Sequence, residues 1–250
     1  MHVVMVMGRR IATRVARLSI TLSIALLLAT RGRVAAAQSA ADKDDLHDLP
    51  LIELPAAVPG QTLAIVLSGD GGWVDIDKQV AGVLAKHDVA VVGVDMRAYL
   101  AKSRSPDQVA HDMSRIFSHY MSRWHRDHVA LVGYSRGADV APFIVTRLSP
   151  DLRSHLVLVA MLGIAPFANF HFHWTDVFRD TRRSDDVATL PELERLRGVN
   201  MLCVYGAEEK ESGCRDAPDS LIRRISRSGA HHFDGDYVAL AQIILDALPR

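Results

Sequence analysis

Three kinds of side chain in this sequence have the types, order and spacing for ester chemistry: a serine, an acid and a histidine. Ser135 lies in Gly133-Tyr134-Ser135-Arg136-Gly137, after the apolar run His128–Val132 and ahead of a helix-compatible segment. G-x-S-x-G at a strand-to-helix junction is a nucleophile-elbow pattern, in which the serine occupies a strained turn. The glycines at −2 and +2 let strand and helix cross closely, and the helix N-terminus aims N–H groups at charge developing near the serine. A hydroxyl is a weak nucleophile without a base, and the base needs a third group to orient it. That acid should leave the end of a late strand. Asn200–Val204 reads as such a strand, and Tyr205-Gly206-Ala207-Glu208-Glu209-Lys210-Glu211 follows it. Glu209, three residues past the glycine, is the expected acid, with Glu208 and Glu211 as rivals and a solvated acidic loop as the alternative. The base is expected in Gly229-Ala230-His231-His232-Phe233-Asp234-Gly235-Asp236-Tyr237. His232, directly before Phe233, is favoured over His231.

Acyl transfer also needs donors for the tetrahedral oxygen. The strand Leu63–Leu67 runs into Ser68-Gly69-Asp70-Gly71-Gly72-Trp73. This loop lacks the lysine and serine/threonine of a P-loop and the third glycine of a dinucleotide fingerprint. It is therefore expected to supply one oxyanion N–H, at Asp70 or Gly71, while the Arg136 N–H supplies the other. A simple tight turn is the competing reading. Ser135, Glu209, His232 is the serine–acid–histidine order of α/β-hydrolases.

The elements that must position these residues alternate along the chain. Strands are expected at Leu51–Leu54, Leu63–Leu67, Val89–Val94, His128–Val132, Leu156–Met161 and Asn200–Val204. Helices are expected at Ile76–Lys86, Gln108–Trp124 (entered through Ser105-Pro106-Asp107), Ala138–Leu148 with a kink at Pro142, and Asp236–Leu248. Such alternation implies a mostly parallel sheet covered on both faces, the α/β class. Ligands then bind at the carboxyl ends of the strands. Phe167–Trp174 alternates like an edge strand, and Asp176–Asp186 reads as a charged loop. His171 and His173 are spaced i, i+2, but with no third ligand evident neither a metal nor any other cofactor is expected.

The first 37 residues read as a secretory signal peptide. Arg9, Arg10, Arg14 and Arg17 form a basic region, Leu18–Thr30 an apolar one, and Ala35-Ala36-Ala37 a cleavage site. The apolar stretch is short for a bilayer span, so release is favoured over a permanent anchor. Residues 38–48 read as a flexible lead-in and 49–250 as one domain. The whole chain balances 29 basic against 29 acidic residues; removing the leader and its six arginines leaves a formal net charge of −6. That balance excludes a basic nucleic-acid footprint and favours cationic partners or simple solubility. Asp70, Asp75, Asp77 and Asp234 lie near the expected mouth of the site, but caps and turns are the first reading for them.

The blocks LSGDGGW, GYSRGADVAPF, YGAEEKESGC and GAHHFDGDY resemble the bacterial virulence protein family of VirJ and the C-terminal domain of AcvB. The resemblance runs from about Asp48 to the C-terminus. It implies an α/β-hydrolase fold and a periplasmic location. It also implies hydrolysis of aminoacylated phosphatidylglycerol, chiefly the lysyl form, at the outer leaflet of the inner membrane. For VirJ-type members it implies type IV secretion components as partners. Two other classes compete: a secretion-associated binding protein with a vestigial site, and a small-ester hydrolase of the dienelactone-hydrolase type. Many relatives carry an aromatic or small residue where this chain has Arg136.

Export also bears on the two cysteines, Cys203 and Cys214. An even count in an oxidising compartment implies pairing. The bridge would enclose Glu209 in a small loop, with free thiols as the alternative.

Overall fold

The computed structural model describes residues 46–172 and 183–249. The expected signal peptide, residues 38–45 of the lead-in, and His173 and Trp174 lie outside those residues. The central sheet has seven strands: β1 (Leu51–Leu54), β2 (Thr62–Leu67), β3 (Ala90–Val94), β4 (His128–Tyr134), β5 (Leu156–Leu162), β6 (Met201–Gly206) and β7 (Arg223–Arg227). Their order is β1-β3-β2-β4-β5-β6-β7. Among the described residues of this sheet, only the β1–β3 pair is antiparallel. The inner strands are buried on both faces, which is why they read as continuous apolar runs and not as alternating ones.

Among the described residues four long helices cover the sheet: α1 (Asp75–Lys86), α2 (Pro106–Trp124), α3 (Arg136–Arg147) and α4 (Tyr237–Ala247). Apolar residues of α1 and α4 pack with Ala64, Val66, Val91 and Val132 on one face. Those of α2 and α3 pack with Leu63, Ile65, Leu67, Val92 and Leu131 on the other. Helix α2 begins where Ser105-Pro106 marks it. Gln108 N–H donates to Ser105 Oγ at 3.1 Å, and Ser105 N–H donates to Gln108 Oε1 at 2.8 Å. Register brings the carboxyl ends of the inner strands level: Leu67 pairs with Gly133, Tyr134 with Leu162, and Leu162 with Val204. The loops after these four strands, with the segment after β7, carry the site.

Three features of the fold were not read from the sequence. Strand β7 has the sequence RRISR, whose single apolar side chain carries no strand pattern; it forms because β6 offers a free edge. The run from Phe167 makes only a two-residue strand, Phe167–Ala168, paired with Val187–Ala188 apart from the main sheet. The Asn169 side chain accepts from the His171 N–H at 2.8 Å and so ends the ladder. Phe170 is nevertheless buried, edge-to-face on Phe143 with ring centres 5.2 Å apart. Finally, Leu46 and Leu49 are buried and Asp48 pairs with Arg115 at 3.0 Å, so residues 46–49 pack on the folded unit. Among the described residues no helix is long and apolar enough to cross a membrane.

Asp77 caps the start of α1. Its Oδ2 accepts from the Val74 N–H at 3.0 Å, while its buried Oδ1 has no hydrogen-bond partner. Burial pushes this carboxyl up to about 7 from an ordinary 3.8. The folded state then holds a proton that the unfolded chain has already lost, so stability declines as pH rises from about 4 through 7. Asp77→Asn keeps an oxygen for Val74 and removes the titration. Its melting temperature should exceed the native one at pH 8 and vary less between pH 5 and 8. A native-like slope in the variant would locate the dependence elsewhere.

Candidate active site

Ser135 sits between β4 and α3 with φ 51° and ψ −120°, a backbone conformation that costs a non-glycine residue about 1–3 kcal/mol. The surroundings hold it there. A Cβ on Gly133 would lie 2.4 Å from Gly137 O, and one on Gly137 would lie 2.2 Å from Leu67 O. Only glycine at both positions lets α3 cross the ends of β2 and β4 at this distance. The Ser135 N–H donates to Leu162 O at 2.9 Å, and the Asp139 N–H, one turn on, donates to Ser135 O at 2.9 Å.

The glycine-rich loop after β2 folds over this serine. A Cβ on Gly69 would be 3.1 Å from Ser135 Cβ. The loop is pinned at its start by the Met96 N–H donating to Ser68 Oγ at 2.9 Å and closes on itself through Gly72 N–H to Gly69 O at 3.1 Å. Asp70 and Gly71 form its tip. Trp73, beyond them, lies so close over Gly93 of β3 that a Cβ there would be 2.4 Å from the indole.

Glu209 is where the spacing after Gly206 puts it. Its Oε2 accepts from the Gly206 N–H at 3.0 Å, and its N–H donates to Gly206 O at 3.1 Å, which closes a compact turn. The carboxylate is buried, whereas the rivals Glu208 and Glu211 are exposed. Its partner reverses the expected order of the two histidines. Glu209 Oε1 lies 2.6 Å from His231 Nδ1. A carboxylate only accepts, so Nδ1 carries the proton and Nε2 is left as the basic nitrogen. His232 is turned away and exposed, with Nδ1 3.0 Å from Tyr134 Oη. The two residues precede a tight turn in which Phe233 and Asp234 both have φ 52°, and burial of Phe233 decides which ring faces the acid.

Two residues that sequence reasoning passed over complete the setting. Gly163 follows β5 with φ 65°, and a Cβ on it would be 2.8 Å from His231 Cε1 and 3.3 Å from Glu209 Oε1. It leaves the acid–histidine pair room directly beyond Leu162, whose carbonyl holds Ser135. The signal for it was a glycine ending a strand whose neighbours all end at functional loops. Tyr134, inside the elbow motif, packs its ring against His231 with centres 5.3 Å apart. Burial, and then the neighbouring Tyr237, Asp77 and Glu209, raise the Tyr134 phenol, so it stays protonated.

Cys203 of β6 and Cys214 are disulfide-bonded and fully buried. The bridge encloses Glu209. Arg215 adds a second tie across the same loop, donating to Glu209 O and, at 2.8 Å, to Ala207 O. Of the four aspartates expected near the mouth, Asp70 is ion-paired with Arg136, Asp77 is the buried cap of Val74, and Asp75 and Asp234 are exposed in a helix first turn and a tight turn. Among the described residues no group of three or more metal-ligating side chains converges.

A sequence model for the bacterial virulence protein VirJ matches residues 61–250. The chain belongs to the VirJ family. No curated protein sequence matches it. Solved structures share its fold at low identity. An alpha-beta serine hydrolase homologue from Coxiella burnetii is 13% identical with a TM-score of 0.57, covering 80% of this chain and 91% of that one. The thioesterase domain from the curacin biosynthetic pathway is 16% identical with a TM-score of 0.53, covering 78% and 94%. A putative dienelactone hydrolase from Klebsiella pneumoniae subsp. pneumoniae is 12% identical with a TM-score of 0.53, covering 77% and 88%. This VirJ-family chain therefore has an α/β-hydrolase fold.

Two outcomes are expected from this geometry. His231→Ala should slow fluorophosphonate labelling of Ser135 at least about a thousandfold, as loss of a triad base does, and His232→Ala far less; the opposite ranking would return the base to His232. Cys214→Ser should lower thermal stability by about 3 kcal/mol, the chain-entropy value for a loop of this size, and reduce labelling as Glu209 loosens. Labelling at the native rate in that variant would show that Arg215 and the Gly206 turn hold the acid unaided.

Proposed function

We propose that this protein is a serine ester hydrolase acting on aminoacylated phosphatidylglycerol from the periplasmic side. The observation that carries the catalytic part is the 2.6 Å Glu209–His231 pair, whose imidazole packs on Tyr134, the residue before a serine held at positive φ on a strand-to-helix turn. Ser135 Oγ attacks the aminoacyl ester carbonyl while His231 Nε2 takes its proton. Glu209 holds the imidazole in the required tautomer and offsets the charge it gains. N–H groups of Arg136 and of the Asp70–Gly71 tip stabilise the tetrahedral oxygen, each worth about 3 kcal/mol in comparable sites. The imidazolium then protonates the departing glycerol oxygen, phosphatidylglycerol leaves, and the aminoacyl group stays on Ser135. Water, activated by the same histidine, releases the amino acid and restores the serine.

The choice of substrate rests on the likeness to the VirJ and AcvB family, and the periplasmic setting also fits a disulfide around the acid. Secretion-system components would be partners alongside this chemistry. The test is purified protein, without its leader, added to phosphatidylglycerol vesicles containing lysyl-phosphatidylglycerol. Free lysine should appear with the native protein and not with Ser135→Ala. Turnover of p-nitrophenyl acetate with intact lysyl lipid would overturn the lipid reading in favour of a small-ester hydrolase. Absence of both activities would favour a binding role.

A further inference from the structure

Arg136 stands directly after the nucleophile, at the first residue of α3, and its side chain is only 9% exposed. It reaches the glycine-rich loop after β2. Nε donates to Asp70 Oδ1 and Nη2 to Asp70 Oδ2, both at 3.0 Å, the bidentate geometry that a guanidinium makes and an ammonium cannot. Nη1 reaches Asn169 O at 3.5 Å. Asn169 is itself buried and donates from Nδ2 to Asp186 Oδ1 at 2.9 Å. One side chain thus spans the loop after β2, the elbow and the segment after β5.

Apart from its own Gly72 N–H to Gly69 O turn, the loop it reaches has little else to hold its tip. Ser68 anchors the start and the Asp77–Val74 contact the end, while the stretch between contains three glycines, and Gly71 is exposed. Glycine-rich backbone gains most entropy when it is released. Pre-organised donors stabilise a developing oxyanion only if they need not move at the moment of reaction. Asp70 also brings a carboxylate beside the place where negative charge forms, and unpaired it would oppose that charge.

We infer that the partly buried Arg136–Asp70 ion pair is a positioning device for the oxyanion hole. It clamps the loop tip to the elbow and neutralises a carboxylate that would otherwise repel the tetrahedral oxygen. Arg136 and Asp70 are positioning residues: their backbones face the reacting ester, and their side chains set where those backbones stand. The pair also removes Asp70 as a contact for a cationic head group. The inference rests on the serine-hydrolase reading of the site but not on the identity of the ester.

The test uses fluorophosphonate labelling of Ser135, p-nitrophenyl ester kinetics and melting temperature on the native protein and three variants. Arg136→Gln should lower the labelling rate and kcat about a hundredfold, the scale of losing an oxyanion donor, with KM changed less than about threefold. Arg136→Lys should recover little of this, because it restores the charge without the fork. Asp70→Asn/Arg136→Gln removes both charges, avoids a lone buried charge that could unfold the single variant, and should regain about tenfold over Arg136→Gln. The inference is overturned if Arg136→Gln labels within about threefold of native, if Arg136→Lys is fully active, or if rates fall only as the folded fraction falls. A native protein that resists labelling would overturn it together with the hydrolase reading. Native labelling without lysyl-lipid cleavage would remove only the substrate assignment.

Discussion

How closely a helix can cross the end of a strand is the constraint on which this site depends. With Gly133 under Gly137, and Gly137 against Leu67 O, α3 starts directly on top of β4, and the connecting residue has no room for ordinary backbone angles. Ser135 is forced to φ 51° and its side chain is presented on the turn. The strain, about 1–3 kcal/mol, is small beside the apolar burial around β2, β4 and β5 that imposes it. The same crossing puts the first turn of a helix, with its positive dipole end, directly at Ser135.

The remaining groups are brought to that turn by the level ends of parallel strands. β2 delivers the glycine-rich loop, β5 the Gly163 gap, and β6 the Glu209 turn, while the segment after β7 brings His231. The first three of these loops each have a tie of their own: Ser68 to Met96, Asp139 Oδ1 to the Ala165 N–H at 2.7 Å, and Cys203 to Cys214. Loops rich in glycine and charge pack few apolar groups, so a few directional contacts replace the burial that steadies the strands. The acid carries the most such ties: a closed turn, a disulfide and an arginine. Its oxygens must stay within hydrogen-bond reach of one ring nitrogen.

The division between what was legible in the chain and what was not follows the length scale of the forces. Apolar runs such as LAIVL and HVALV mark strands buried on both faces whatever their neighbours. G-x-S-x-G marks a crossing that only glycine permits, and Ser105-Pro106 with Gln108 marks a helix start. The turn that carries Glu209 was readable because it closes within three residues of Gly206. Strand β7 was not, because its five residues are held by the edge of β6 and not by any pattern of their own.

What the sequence by itself determined, then, is the α/β architecture, the elbow and the loops that carry candidate groups, since each is written in contacts within a few residues. Tertiary structure decided which groups meet. His231 and His232 are adjacent in an irregular turn with no periodicity to say which ring faces inward. Buried Phe233 and the fixed position of Glu209 choose His231. Arg136 and Asp70, 66 residues apart, carry no mark of pairing in the chain. Their meeting depends on the register of β2 against β4, and register is a property of the whole sheet.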